Sequence, residues 1–413
     1  MSFRGVFIAV VVSTALIVSA FLVNAKRPRG EARITPALIR ATGKCADCHR
    51  HETSAVVREY DMSRHNAVNV NCLDCHQPTK GQETLDHKGF EITKKVTASN
   101  CVRCHPDQYE QYLKSRHSAP AWGAVAGKTD FTPEQIAAAE AIHKGSVDRD
   151  PDRVAELVGV SAVNNGCKRC HDVGKPNEGE GTIGTCTACH ARHVSSVELA
   201  RTPETCGQCH MGPDHSQIEI YHESKHGVLF NAQRSRMNLA ARPDKLSTDD
   251  MPVPTCATCH MSGIEGQKNT HDTSERLSYY LFATVSDRRP TYAKGKANMK
   301  AVCLVCHTNP PILKFFGEAE KIITGLRKDK LLTPAPLDEP IEFVYYELWH
   351  YDGRSAKHGA FMGGADFVQW HGFYDIQSKM AKIKAMAAEL RKANKPVAAE
   401  PEKKVADRRV ATP

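Results

Sequence analysis

All sixteen cysteines of this chain fall into eight C-x-x-C-H units. The pairs are Cys45/Cys48, Cys72/Cys75, Cys101/Cys104, Cys167/Cys170, Cys186/Cys189, Cys206/Cys209, Cys256/Cys259 and Cys303/Cys306. Each is followed directly by a histidine: His49, His76, His105, His171, His190, His210, His260 and His307. C-x-x-C-H is the attachment motif of a c-type haem. The two thiols add across the porphyrin vinyl groups, and the histidine becomes the proximal iron ligand. One C-x-x-C alone could be a zinc knuckle or a redox dithiol. Eight units, each with its histidine and no cysteine left for a disulfide, exclude that reading. The chain is therefore expected to carry eight covalently bound haem c groups. Such haems are attached outside the bacterial cytoplasm, which implies export to the periplasm or an equivalent compartment.

Eight large planar cofactors explain why only 41% of the 413 residues are hydrophobic. The porphyrins supply much of the apolar core. The formal charge of +8 is that of the apo-chain. Each haem adds about two propionates, ionised at neutral pH, and its ferric iron returns about one positive charge. The holoprotein thus lies near neutrality, and no clustered basic stripe of the kind that binds a polyanion occurs before the C-terminal tail. No nucleic-acid partner is expected.

Residues 1–29 read as a signal peptide or an N-terminal membrane anchor. Arg4 precedes the apolar run VFIAVVVSTALIVSAFLVNA, which is about as long as a membrane span, and Val23-Asn24-Ala25 offers a cleavage site. Residues 30–311 form the haem-bearing domain. Within it a second pattern repeats: Tyr60-x-x-Ser63-Arg64-His65, Tyr112-x-x-Ser115-Arg116-His117 and Tyr221-x-x-Ser224-Lys225-His226. Each histidine follows a haem-binding one by 12 to 16 residues. A low-spin haem needs an axial ligand on its second face, and these histidines are candidates. His271, in Thr270-His271-Asp272, is another. Thr132-Pro133-Glu134-Gln135 reads as a capped helix start, with His143 a plain surface histidine on that helix. Residues 312–393 read as helical; Ile376, Met380, Ile383, Ala387 and Leu390 recur at steps of four and three. That seam suits an oligomer contact or packing within the chain. Residues 394–413 are rich in Lys, Pro and Ala and read as a disordered tail. Long β-branched alternation is missing, so the fold class is mostly α: a multihaem cytochrome c fold with long haem-wrapping loops and C-terminal helices.

TCTACHARHVSS, ARTPETCGQCHMGPDHSQIEIY, the absence of any C-x-x-C-K unit, and RSAKHGAFMGGADFVQWHG resemble the octahaem hydroxylamine oxidoreductase family over about residues 40–380. C-H-M-G-P-D-H is the specific element. The missing lysine-ligated motif separates the chain from the pentahaem ammonia-forming nitrite reductases and their octahaem relatives. The resemblance implies seven bis-histidine haems and one with an open face, by chain order that of Cys167, Cys170 and His171. It places an Asp-His pair in that pocket, matching Asp214 and His215, with Tyr279 or Tyr280 as weaker matches. Without the resemblance, Asp214 reads equally well as a helix cap and His215 as a structural ligand. Thirteen histidines lie outside the motifs. The expected distal ligands are His65, His87, His117, His193, His226 and His271, with one of His358 and His371. In hydroxylamine-oxidising members a tyrosine from a neighbouring subunit bonds to the catalytic haem. The matching element here is Asp366-Phe367-Val368-Gln369-Trp370-His371-Gly372. Phe367 has no phenol oxygen, so the resemblance points to the branch without the crosslink.

The function expected is reduction of nitrite or a related nitrogen oxide to ammonium, hydroxylamine or nitric oxide at the open-faced haem. Asp214 and His215 handle protons, since a histidine titrates near neutral pH and a carboxylate tunes it. A quinol-linked or small c-type cytochrome is the expected electron donor. The alternatives are a hydroxylamine or hydrazine oxidoreductase, and a non-enzymatic electron conduit. The resemblance implies a homotrimer or a complex with a small cytochrome.

Overall fold

The computed structural model describes residues 40–144, 155–156, 158–212, 216–279, 288–307, 317–335, 337–362 and 364–393. The N-terminal apolar run, Asp214, His215, Tyr280 and the tail from 394 lie outside the described residues. Among the described residues no helix is long and apolar enough to cross a membrane. The chain is mostly helical, as expected, and divides into two compact units. The first is Met1–Asn71 with Arg192–Ser195; the second is Cys72–Ala191 with Ser196–Pro413.

The haem motifs sit on or at the ends of helices, most of them short: Lys44–Glu52, Cys72–His76, Ala98–Val102, Lys168–His171, Pro203–Gly207, Cys256–His260 and the longer Tyr292–Cys306, with a 3-10 turn at Cys186–Ala188. Cysteines three apart on a helical turn share one face, as attachment to two vinyl groups of one ring requires. Threonine starts several of these turns. Thr97 forms a capping box with Asn100 ahead of Cys101, and Thr255 forms one with Thr258 ahead of Cys259. Thr185 caps the turn at Cys186 by accepting from Thr187 N.

The repeated Y-x-x-S-[R/K]-H pattern has a local cause. Ser63 caps the helix Arg64–Ala67, and Ser224 caps Lys225–Gln233. Each places its histidine at the second helical position. Ser115 Oγ accepts from His117 N at 3.1 Å. The tyrosine ties each histidine segment to a stretch beside a haem motif. Tyr60 OH donates to Val70 O, near Cys72. Tyr112 OH lies 2.6 Å from Val173 O, just after His171, and 3.0 Å from His117 O. Tyr221 OH donates to Pro254 O at 2.9 Å, just before Cys256.

In the first unit Asp61 accepts from Ala41 N at 2.8 Å and from Arg50 Nη1 at 2.8 Å. The Arg50 guanidinium holds the Asp61 carboxyl below its usual range. In the second unit one hairpin pairs Leu85–His87 with Phe90–Ile92. Its two-residue turn, Lys88-Gly89, has φ of 58° and 81°; two positive φ values are what a type I′ turn needs. Helix Pro133–Ile142 starts as the sequence predicts, with Thr132 and Gln135 forming a capping box. His143 ends it and bonds Leu113 O at 3.1 Å through Nε2.

The C-terminal helices Gly317–Lys328, Pro340–Glu347 and Tyr374–Ala393 share one apolar cluster. All five seam residues, Ile376, Met380, Ile383, Ala387 and Leu390, pack into it within the chain. Ile383 is fully buried. Ile383→Ala is expected to cost about 2–5 kcal/mol, as cavities in packed cores do; an unchanged chemical-denaturation midpoint would contradict this packing. Tyr112→Phe removes the single O–H that Val173 O and His117 O share, at about 0.5–1.5 kcal/mol. It should lower the denaturation midpoint of the haem-loaded protein.

Candidate functional site

A planar cofactor gripped on both faces needs two imidazoles facing each other across it. With metal–nitrogen bonds of about 2.0–2.1 Å on each side, the ring centres lie roughly 6 Å apart. Among the described residues, three histidine pairs show this spacing. His117 and His210 are 5.9 Å apart, His226 and His307 6.0 Å, and His190 and His271 6.5 Å. In each pair one member belongs to a C-x-x-C-H motif and the other to the set of candidate distal ligands. Burial, followed by the His210, His260 and His171 rings, holds His117 down at about 4. Burial and then His190 and His105 hold His271 at about 4. Neutral imidazoles are the form that binds a metal.

Hydrogen bonds at Nδ1 orient several motif rings. His171 Nδ1 donates to Ala121 O at 2.5 Å and His76 Nδ1 to Thr93 O at 2.8 Å. This tautomer leaves Nε2 for a metal. His49 Nδ1 lies 2.7 Å from Thr53 Oγ1. Among the described residues, His49, His76, His105, His171 and His260 stand outside these three ring pairs.

The thiols fit covalent attachment. Unpaired cysteine is usually among the most buried residue types, yet all sixteen here are exposed or half-buried and none forms a disulfide. Their settings are not uniform. Cys45, Cys48, Cys104, Cys189, Cys209 and Cys306 are exposed, while Cys72, Cys75, Cys101, Cys167, Cys170, Cys186, Cys206, Cys256, Cys259 and Cys303 are half-buried. The local helices explain Cys48 and Cys104. The helix Lys44–Glu52 buries Ala46 alone, so both of its cysteines, Cys45 and Cys48, face outward. The helix Ala98–Val102 buries Ala98, Ser99 and Asn100 and ends before Cys104. Cys101 stays half-buried on that helix, and Cys104 follows in an exposed turn.

The motifs also touch one another out of chain order. The Cys101 thiol adjoins that of Cys186, Cys206 that of Cys256, and Cys209 that of Cys170. Cys75 lies within electrostatic reach of Cys101 and Cys104, Cys189 of Cys206, and Cys259 of Cys303. The motifs at His76, His105, His190, His210, His260 and His307 therefore form a continuous line. The motif at His171 branches from it at His210, where Cys170 Sγ also lies 3.9 Å from Gln208 O.

The remaining candidates differ in setting. His65 rides the short helix Arg64–Ala67. His193 lies in the same compact unit, its N–H on Glu59 Oε2 at 3.0 Å and its Nδ1 3.8 Å from that carboxylate. His87 closes the exposed hairpin opposite Phe90. His358 and His371 separate clearly. Burial, then Lys357, Arg354, His260 and His210, holds His358 down at about 3. His371 has a side chain 62% exposed, 3.6 Å from Asp366 Oδ2 and 5.3 Å from the Phe367 ring. His358 is thus the one placed among motif histidines. Tyr279 meets Tyr292 edge-on at 5.3 Å, with Lys357 Nζ 5.1 Å from its ring centre. The Tyr and Ser of the repeated pattern were not singled out by chemistry in the sequence, although the repeat itself was the signal.

A family model described as seven times multi-haem cytochrome CxxCH matches residues 68–333. A probable nitrite reductase-hydroxylamine oxidoreductase fusion protein of Kuenenia stuttgartiensis is 28% identical over 244 residues, 53% of this chain and 25% of that protein. The chain thus spans about a quarter of that curated relative's length. Among solved structures, a hypothetical multiheme protein superposes with a TM-score of 0.60 at 22% identity, covering 86% of this chain and 97% of its own. A reducing hydroxylamine-oxidoreductase-like protein complex of Kuenenia stuttgartiensis gives a TM-score of 0.52 at 22% identity, over 84% and 85% of the two chains. With the motifs, the ring pairs and these likenesses in hand, the chain belongs to the multi-haem C-x-x-C-H cytochrome family, whose members bind haem c covalently.

Proposed function

We propose that this protein is an exported octahaem reductase that acts on nitrite or a related nitrogen oxide at the haem attached to Cys167, Cys170 and His171. The observation that carries the reading is the setting of His171. Its ring is oriented by Ala121 O, and it belongs to the motif that branches from the line of thiol contacts. A terminal branch suits the end of an electron path, while positions along the line suit transit. When bound, the haem there supplies the iron that takes the nitrogen oxide and the electrons that reduce it. His117, His226 and His271 would help hold the haems attached at His210, His307 and His190, and His358 would serve in place of His371. His65, His87 and His193 complete the distal set. Asp214 and His215 deliver protons, which every reduction step from nitrite consumes. Phe367 supports the reductive direction, because it offers no phenol for a tether.

Residues 30–311 carry the eight haem sites in this reading, and residues 312–393 buttress them. A small c-type or quinol-linked cytochrome supplies electrons in the periplasm. The curated relative is named as a nitrite reductase-hydroxylamine oxidoreductase fusion, and one structural neighbour as a reducing complex. The neighbour's name supports the direction proposed, while the fusion's name carries both a reductase and an oxidoreductase.

The purified holoprotein should consume nitrite with reduced viologen as donor. Hydroxylamine-dependent cytochrome reduction as the only activity would reverse the assignment. The ferric protein should show one five-coordinate haem in its electron paramagnetic resonance spectrum, and His117→Ala should add a second. A wholly low-spin wild-type spectrum would point instead to an electron conduit.

A further inference from the structure

Arg276 is only 5% exposed, deep in the second unit. Its two terminal nitrogens are filled by backbone carbonyls. Nη1 donates to Cys259 O at 2.7 Å and Thr258 O at 3.5 Å. Nη2 donates to Ser262 O and Lys268 O, both at 2.7 Å. A guanidinium has five N–H donors, so four are spent on neutral acceptors and the terminal edge has none left for a carboxylate. The adjacent acid, Glu275, lies within electrostatic reach of the guanidinium but accepts no hydrogen bond from it, and is engaged by Lys268 Nζ at 3.4 Å. A full positive charge is therefore held beside the Cys256–His260 turn, bonded to the residue immediately before His260.

Charge in a low-dielectric interior acts over ångströms with little screening. Reducing a haem lowers its net charge by one, so a fixed neighbouring cation favours the ferrous form. Local charge and burial are among the means by which a protein sets haem potential. We infer that Arg276 is a positioning residue that raises the reduction potential of the haem attached to Cys256, Cys259 and His260. That motif touches the His210 motif through Cys256 and Cys206, and the His307 motif through Cys259 and Cys303. The raised potential makes it a station that holds an electron one step before the branch to His171. A reaction needing several electrons at one iron gains from such a store. The inference rests on haem attachment at this motif, which lies inside the family match, and not on the choice of substrate.

The test is a redox titration of all eight haems in the intact holoprotein, followed by absorbance and paramagnetic resonance. Arg276→Gln keeps a donor but removes the charge. It should lower one midpoint so that this haem's ferrous-to-ferric ratio falls about tenfold at a given solution potential, about 59 mV for one electron. Arg276→Lys, which keeps the charge and loses hydrogen bonds, should restore most of that shift. Unmoved midpoints in Arg276→Gln, or equal shifts in the two variants, would overturn the inference. If Arg276→Gln does not load with haem, Ser262→Asp sets a carboxylate against the guanidinium; an unchanged set of midpoints there would also overturn it. Failure of the premise shows separately, as a wild-type haem count that does not fall when Cys256 and Cys259 are both replaced by Ala.

Discussion

A porphyrin held through two thioethers and two imidazoles must be approached from both faces, and the chain can supply only one face locally. A C-x-x-C-H turn provides the thiols and one ring. The opposite ring comes from elsewhere: His117 meets His210 from upstream, and His271 and His226 meet His190 and His307 from opposite directions along the chain. Each such pair closes a long loop, whose entropy cost rises only slowly with loop length. Many short helices joined by irregular segments suit this requirement better than a few long ones. The apolar clusters of the haem-bearing part are correspondingly modest, and the largest one sits among the C-terminal helices, beyond the last C-x-x-C-H motif.

What could be read in the sequence follows from the range of each interaction. Motif cysteines and histidines are defined within five residues, so they are visible at once. How deeply each thiol sits is not, because the motif is identical at exposed Cys48 and Cys104 and at half-buried Cys75 and Cys259. The Ser–His relation inside Y-x-x-S-[R/K]-H is local too, because Ser63 and Ser224 cap the very turns that carry His65 and His226. The tyrosine of the same pattern acts at a distance: Tyr112 reaches Val173, and Tyr221 reaches Pro254. Nothing in the spacing announces those targets. The capping box at Thr132 was legible for the same reason as the serine caps, whereas the hairpin at 85–92 rests on a three-residue pairing too short to show alternation.

His358 and His371 illustrate what only tertiary structure decides. Both lie in one histidine-rich stretch, and both precede glycine. The helix Gly353–Met362 carries His358 in among His260 and His210, while the kinked turn Gln369–Phe373 leaves His371 facing solvent beside Asp366. The seam of Ile376, Met380, Ile383, Ala387 and Leu390 shows the converse case. Its period was plain, but a heptad-like stripe reads the same whether its partner is another chain or, as here, the helices Gly317–Lys328 and Pro340–Glu347.

Order along the chain and order along the electron path are different things in this fold. Motifs adjacent in sequence, at His171 and His190, are not the ones whose thiols meet; Cys170 meets Cys209, and Cys186 meets Cys101. In the function proposed, a path that runs past the branch to His171 divides electrons between onward transfer and reaction. Which way they go depends on relative potentials, and these depend on fixed charge more than on the repeated motif, since the motif is the same at every site. The buried guanidinium of Arg276, saturated by carbonyls rather than by an acid, breaks that equivalence at one position. Identical attachment chemistry thereby becomes an ordered set of sites, through residues that no haem motif contains.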